Sequence, residues 1–114
     1  MRFLLALALA LTVANCSVGR LFFEGEILEP KDDGVSRVAI PGAHVRIEDN
    51  TTKNSNEGFS DETGFVNLEV VVTDDETHTF TVTVTKTGFQ QTVEFLSGTR
   101  STGISQRFFL PREE

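Results

Sequence analysis

The sequence predicts an all-β protein, an antiparallel two-sheet β-sandwich of about seven strands with Greek-key connections. Three observations point there. Short segments of alternating apolar and polar residues recur between turns rich in Gly, Asp, Asn and Thr, so the period is that of a strand and no helical period competes with it. Val and Thr dominate those segments, and branching at Cβ restricts χ1 in a helix while suiting a pleated surface. The chain has ten Phe and neither Trp nor Tyr. That points to a core role for most of the phenylalanines, because a buried phenyl ring brings no polar atom that needs a partner. A single sheet would leave one row of these rings in water, so two sheets should meet face to face.

The elements follow in chain order. Met1 and Arg2 precede an apolar run from Phe3 to Leu11 and then small and polar residues from Thr12 to Ser17. This reads as a helical signal peptide over residues 1–16, with 17–114 as the mature domain. A membrane span would need about 20 apolar residues, which the run does not reach. Cleavage after Ala14 or after Cys16 satisfies the small-residue rule equally. Cys16, the single cysteine, is also a candidate lipidation site, since Val13, Ala14, Asn15, Cys16 is similar to the end of a bacterial lipoprotein leader. The expected address is secreted and extracellular, with a membrane-anchored lipoprotein as the alternative. No disulfide can form within the domain, whose stability must come from packing.

In the mature chain, Leu21, Phe23 and Ile27 alternate with Glu24 and Glu26 in a first strand, and Gly25 marks an expected bulge. Pro30 to Gly34 form a turn. Pro41 and Gly42 then introduce a strand with Ala43, Val45 and Ile47 inward and His44, Arg46 and Glu48 outward. Asp49 to Gly58 is too polar to bury, and a short strand around Phe59 and Ser60 leads into an Asp61 to Gly64 turn. Val66, Leu68, Val70 and Val72 form one face of the next strand, which Asp74, Asp75 and Glu76 terminate. From His78 to Lys86, Phe80, Val82 and Val84 oppose Thr79, Thr81, Thr83 and Thr85, and this strand should pair with the preceding one as a hairpin. After a corner at Thr87 and Gly88 come Phe89, Gln91, Val93 and Phe95, then a last strand through Ile104, Gln106, Phe108 and Leu110 that Pro111 ends. The expected core is Phe23, Phe65 or Val66, Leu68, Phe80, Val82, Val84, Phe89, Val93 and Phe108.

Three stretches, Pro41-Gly42-Ala43-His44-Val45, Ser60-Asp61-Glu62-Thr63-Gly64 and Gly88-Phe89, resemble the turn and strand motifs of the carboxypeptidase regulatory-like domain family. Ser60 stands where that family usually has Thr, and Phe89 where it has Tyr. The resemblance runs from about Gly25 to Phe95 and implies a prealbumin-like, or transthyretin-like, sandwich. It also implies a non-catalytic appendage or an extracellular module concerned with adhesion or glycan handling. The related 5-hydroxyisourate hydrolase carries a Tyr-Arg-Gly-Ser signature that is absent from this sequence, so that activity is the remote alternative. A carrier of a small apolar ligand is the nearer one.

Composition and spacing exclude more chemistry than they support. The net charge is −7, and loss of a leader containing Arg2 leaves nine basic against 17 acidic residues, a charge of −8. Such a surface repels nucleic acid, and the basic residues are scattered singly. His44 and His78 lie on different segments with no Cys to join them in a zinc site, so both read as surface histidines. Asp49, Glu57, Asp61 and Glu62, and separately Asp74, Asp75 and Glu76, gather hard oxygen ligands in loops, yet their spacing matches no calcium loop. No catalytic residue, metal or cofactor is assigned. Asn50-Thr51-Thr52 is a sequon in the most polar loop, making Asn50 a candidate N-glycosylation site. The expected function is a secreted binding or structural module for a protein or glycan partner. A weakly charged Thr face from Thr79 to Thr85 offers a surface for homo-oligomers.

Overall fold

The computed structural model describes residues 19–31 and 33–113. The expected leader over residues 1–16, Cys16 with its lipidation reading, and Asp32 lie outside the described residues. Eight strands run in the order β1 (Arg20–Pro30), β2 (Arg37–Ala39), β3 (His44–Asp49), β4 (Ser55–Phe59), β5 (Phe65–Val71), β6 (His78–Thr85), β7 (Thr92–Gly98) and β8 (Ile104–Phe109). They form two sheets. In the first, β1 pairs with β5 and β2 along one edge and with β8 along the other; the second has the order β4-β3-β6-β7. The chain passes between sheets at β2–β3, β4–β5, β5–β6 and β7–β8, the connectivity of a Greek-key sandwich. Among the described residues no helix is long and apolar enough to cross a membrane.

The core is the meeting of the two inward faces. Leu21, Phe23, Ile27, Val66, Val70 and Phe108 come from the first sheet, and Val45, Ile47, Phe80, Val82 and Val84 from the second. Full burial of each such side chain contributes roughly 1.5–3 kcal/mol. Phe23 and Phe108 meet in a tilted pair with ring centroids 6.2 Å apart.

Several expectations are corrected. β5 and β6 do not form a hairpin: β5 pairs with β1 and β6 with β3 and β7, so the Thr73–Thr77 loop crosses from one sheet to the other. Gly25 carries no bulge, since it stands in unbroken register opposite Val66 and Gln106. A Cβ there would lie 3.2 Å from the Phe23 ring and from Val66 Cγ1, so the glycine makes room for packing. The polar stretch before Phe59 is itself a strand, β4, on the sheet edge; β2 is a second short strand the pattern does not announce. Val93 belongs to the outer face, 44% exposed, beside Phe95 at 71%. Among the described residues four phenylalanines, Phe22, Phe59, Phe95 and Phe109, are exposed, so the rings divide between core and surface. Finally, β8 runs parallel to β1, the one parallel pairing among the described residues.

Both seams between the sheets are closed by side chains. Asn54 and Asn56 of the β4 side donate their amide N–H groups to the carbonyls of Val71 and Glu69 on β5 (3.2 and 3.0 Å). Thr92 Oγ1 of β7 donates to the Phe109 carbonyl of β8 at 3.4 Å.

Candidate functional site

At one end of the sandwich, three turns come together, and the motif residues build them. The Ser60 hydroxyl, buried, donates to the Ile40 carbonyl (2.6 Å) and accepts from the Ala43 N–H (2.9 Å), tying the Pro41–Gly42 turn to the end of β4. Asp61 Oδ1 accepts from the N–H of Thr63 and of Phe65 and from the Thr63 hydroxyl. Those bonds, the Thr63 hydroxyl first, hold its carboxyl below the usual range. Gly64 completes the turn with φ +85°, and a Cβ there would sit 2.8 Å from the Ile27 carbonyl oxygen. The corner after β6 is pinned to the C-terminal segment by Gln90 N–H to Pro111 O and Glu113 N–H to Gly88 O. The Arg112 guanidinium lies 4.8 Å above the Phe89 ring while bonding to Glu29 (2.6 Å).

This end holds a groove of about 510 Å³ lined by His44, Phe59, Lys86, Phe89 and Gln91 among others. His44 and Phe59 are cross-strand partners on the outer face of the second sheet, their rings tilted with centroids 5.3 Å apart. Phe59 is 67% exposed, whereas Phe89 is half-buried against the core. His44 Nε2 meets Glu57 Oε1 at 2.7 Å. Among the described residues Lys86 has no ion-pair partner. Two aromatic faces beside a handful of donors and acceptors in a concave surface is the composition of a ligand site. Nothing in it forms a nucleophile with an adjacent base.

The other sequence candidates fall elsewhere. Arg46 shares its face with His44 but bonds Glu48 (2.7 Å) and Ser55, so the two do not converge on one cleft. Asn50 follows β3 in a half-buried position, its Oδ1 accepting from the Thr81 hydroxyl at 2.7 Å. The acidic loops disperse: Asp61 serves its own turn, Asp75 accepts from the Ser101 N–H, and Asp49 and Asp74 both face His78. Among the described residues no group of three or more His, Cys, Asp or Glu is arranged to hold a metal ion.

His78 is the residue that sequence reasoning misplaced. It is not on the surface but 6% exposed, Nδ1 2.6 Å from Asp49 Oδ2 and Nε2 2.7 Å from Asp74 Oδ1. The bond to Asp74 chiefly, against the opposing effect of burial, raises its pKa above the ordinary histidine value. Burial alone would raise the Asp49 carboxyl, but the Thr51 N–H and His78 outweigh it and leave it lowered. The only signal in the sequence was His78 four residues after Asp74; Asp49, 29 residues away, is joined to it by topology alone.

No family model matches the chain, and no curated protein matches it. Among solved structures it is similar to 3-chlorocatechol 1,2-dioxygenase from Rhodococcus opacus 1CP, with a TM-score of 0.57 and 12% identity, covering 83% of this chain and 60% of that one. It is also similar to GBS52, the minor pilin of the Gram-positive pathogen Streptococcus agalactiae, with a TM-score of 0.60 and 8% identity, covering 84% and 46%. The chain thus spans about half the length of these structures, and at such identities the likeness is one of fold, the β-sandwich.

Proposed function

We propose that the chain is an exported, non-catalytic β-sandwich module of the carboxypeptidase regulatory-like kind that binds a glycan in the groove between Phe59 and Phe89. The observation that carries this reading is Phe59, a large apolar ring 67% exposed on a strand end, flanked by His44 and its Glu57 partner. Phe59, unlike the more exposed Phe95, stands in a groove beside polar groups, and the apolar face of a sugar ring fits a phenyl face while its hydroxyls reach those groups. The interior between the sheets is filled by Phe23, Phe80 and Phe108, which argues against a carrier of a buried apolar ligand. Export through residues 1–16 supplies the compartment in which glycans are met.

The test is a glycan array probed with the mature domain, followed by titration of the best binder against wild type and F59A. Binding should fall at least tenfold in F59A and be unchanged in F95A, whose ring lies at the other exposed stretch of the same face. If no glycan binds, and capture from extracellular fluid instead retrieves a protein lost on F59A, the groove is a protein site and the glycan reading is wrong.

A further inference from the structure

The groove leaves unused a buried cluster of ionisable groups at the opposite end of the sandwich. Asp49 closes β3 and is fully buried, His78 opens β6, and Asp74 stands in the loop that crosses between sheets. A neutral imidazole carries one N–H and one lone pair, so it can donate to only one of two carboxylates. With both carboxyls ionised, contacts of 2.6 and 2.7 Å from the two ring nitrogens therefore require the imidazolium. Loss of either proton turns one of them into a lone pair facing an anion.

We propose that Asp49, His78 and Asp74 form a pH-operated clasp that holds the loops at this end closed while His78 is doubly protonated and releases the Asp74 arm when Nε2 loses its proton. The direction follows from burial. Asp49 has no route to water and is fixed by the Thr51 and Thr52 N–H groups, so the remaining proton stays on Nδ1. The Asp74 side chain is 47% exposed and regains solvation by a small outward movement. The Thr73–Thr77 loop does not stand alone: Arg100 donates to the Thr73 carbonyl at 2.8 Å, and Asp75 accepts from Ser101 N–H at 3.2 Å, so the turn between β7 and β8 is held with it.

The charged groups facing the clasp are few. Arg100 approaches from the β7–β8 turn and favours the Asp74 anion, Glu76 lends Asp74 its backbone N–H at 3.0 Å, and Asp75 is turned toward Ser101. From β6 and β7 come the Phe80 ring, stacked on the imidazole at 6.2 Å, and Gly98, opposite His78 in the ladder, neither of them charged.

Two measurements on the mature domain test this. In wild type, amides of 73–77 and 99–103 should exchange with solvent at least tenfold faster at pH 8.5 than at pH 5.5 after correction for intrinsic rates. In D74N the asparagine amide can donate to an unprotonated Nε2, so these loops should stay protected at both values, whereas D74A should leave them open at both. Nitrogen-15 shifts of the His78 ring give a readout independent of any variant: doubly protonated at pH 5.5, and the Nδ1–H tautomer at pH 8.5. Equal wild-type exchange at the two values, an unchanged pH response in D74N, or the Nε2–H tautomer at pH 8.5 would each overturn the proposal.

Discussion

Ser60 shows how much of this fold rests on single polar atoms. Its hydroxyl is a donor to one backbone group and an acceptor from another, both in a buried turn. S60A should strand the Ile40 carbonyl and the Ala43 N–H together and cost about 1–3 kcal/mol, while S60T keeps the oxygen and most of the stability. Urea unfolding of the two variants distinguishes a hydrogen-bond role from one of side-chain size. The phenylalanines make a complementary pair. F80A removes a wholly buried ring and should cost about 3–5 kcal/mol. F95S touches a ring 71% in water and should stay within about 0.5 kcal/mol of wild type. A larger cost for F95S than for F80A would mean that the inner and outer faces of the second sheet had been exchanged.

Among the elements, those with a strong Val and Thr alternation were legible and those that lie on edges were not. β5 and β6 emerge from the pattern because each carries three apolar residues at spacing two, and β3 and β8 because Ala43 and Leu110 just outside them extend shorter runs; in all four the apolar side is the buried side. β7 shows the limit of that rule. Its period is right, yet Val93 and Phe95 face outward and the inner positions are Thr92, Glu94 and Leu96, because the seam with β8 is filled from the other sheet by Ile104. β4 is polar since its work is done by amides. Asn56, read as loop, closes the seam to β5 by donating to the Glu69 carbonyl. Replacing that donor with an acceptor in N56D should put like partial charges together and cost about 1–3 kcal/mol, with faster amide exchange confined to β4 and β5. The groove was half visible: the turn motifs located its walls, but the nearness of Phe59 to the Phe89 corner depends on pairings between distant strands. The parallel match of β1 with β8, more than 80 residues apart in the chain, has no local signature at all.

At the scale of the whole molecule, the shifted groups define a pH window. His78 has a folded pKa raised above the ordinary 6.5, so its contribution is complete below about that pH and is lost as pH rises through the folded value. The carboxyls run the other way. Asp33, held by the Ser36 hydroxyl and then by the Ser36 and Val35 N–H groups, is lowered to about 2; Asp74 is lowered by His78 first, and Asp49 and Asp61 are lowered as well. Their contributions are complete above the ordinary 3.8 and are lost as pH falls through the lowered values. All of these terms are therefore present together between about 3.8 and 6.5, a range that also contains the isoelectric point of 4.8, where self-repulsion is least. Unfolding free energy against pH should form a plateau there and decline on the alkaline side with a slope of no more than one proton, about 1.4 kcal/mol per pH unit. H78N, lower overall because it exposes Asp49 to an uncharged neighbour, should lose most of that alkaline decline while keeping the part of the acid one that Asp33 and Asp61 supply. An alkaline limb equally steep in H78N would assign it to the titration of other groups and would detach the buried histidine from the stability of the fold.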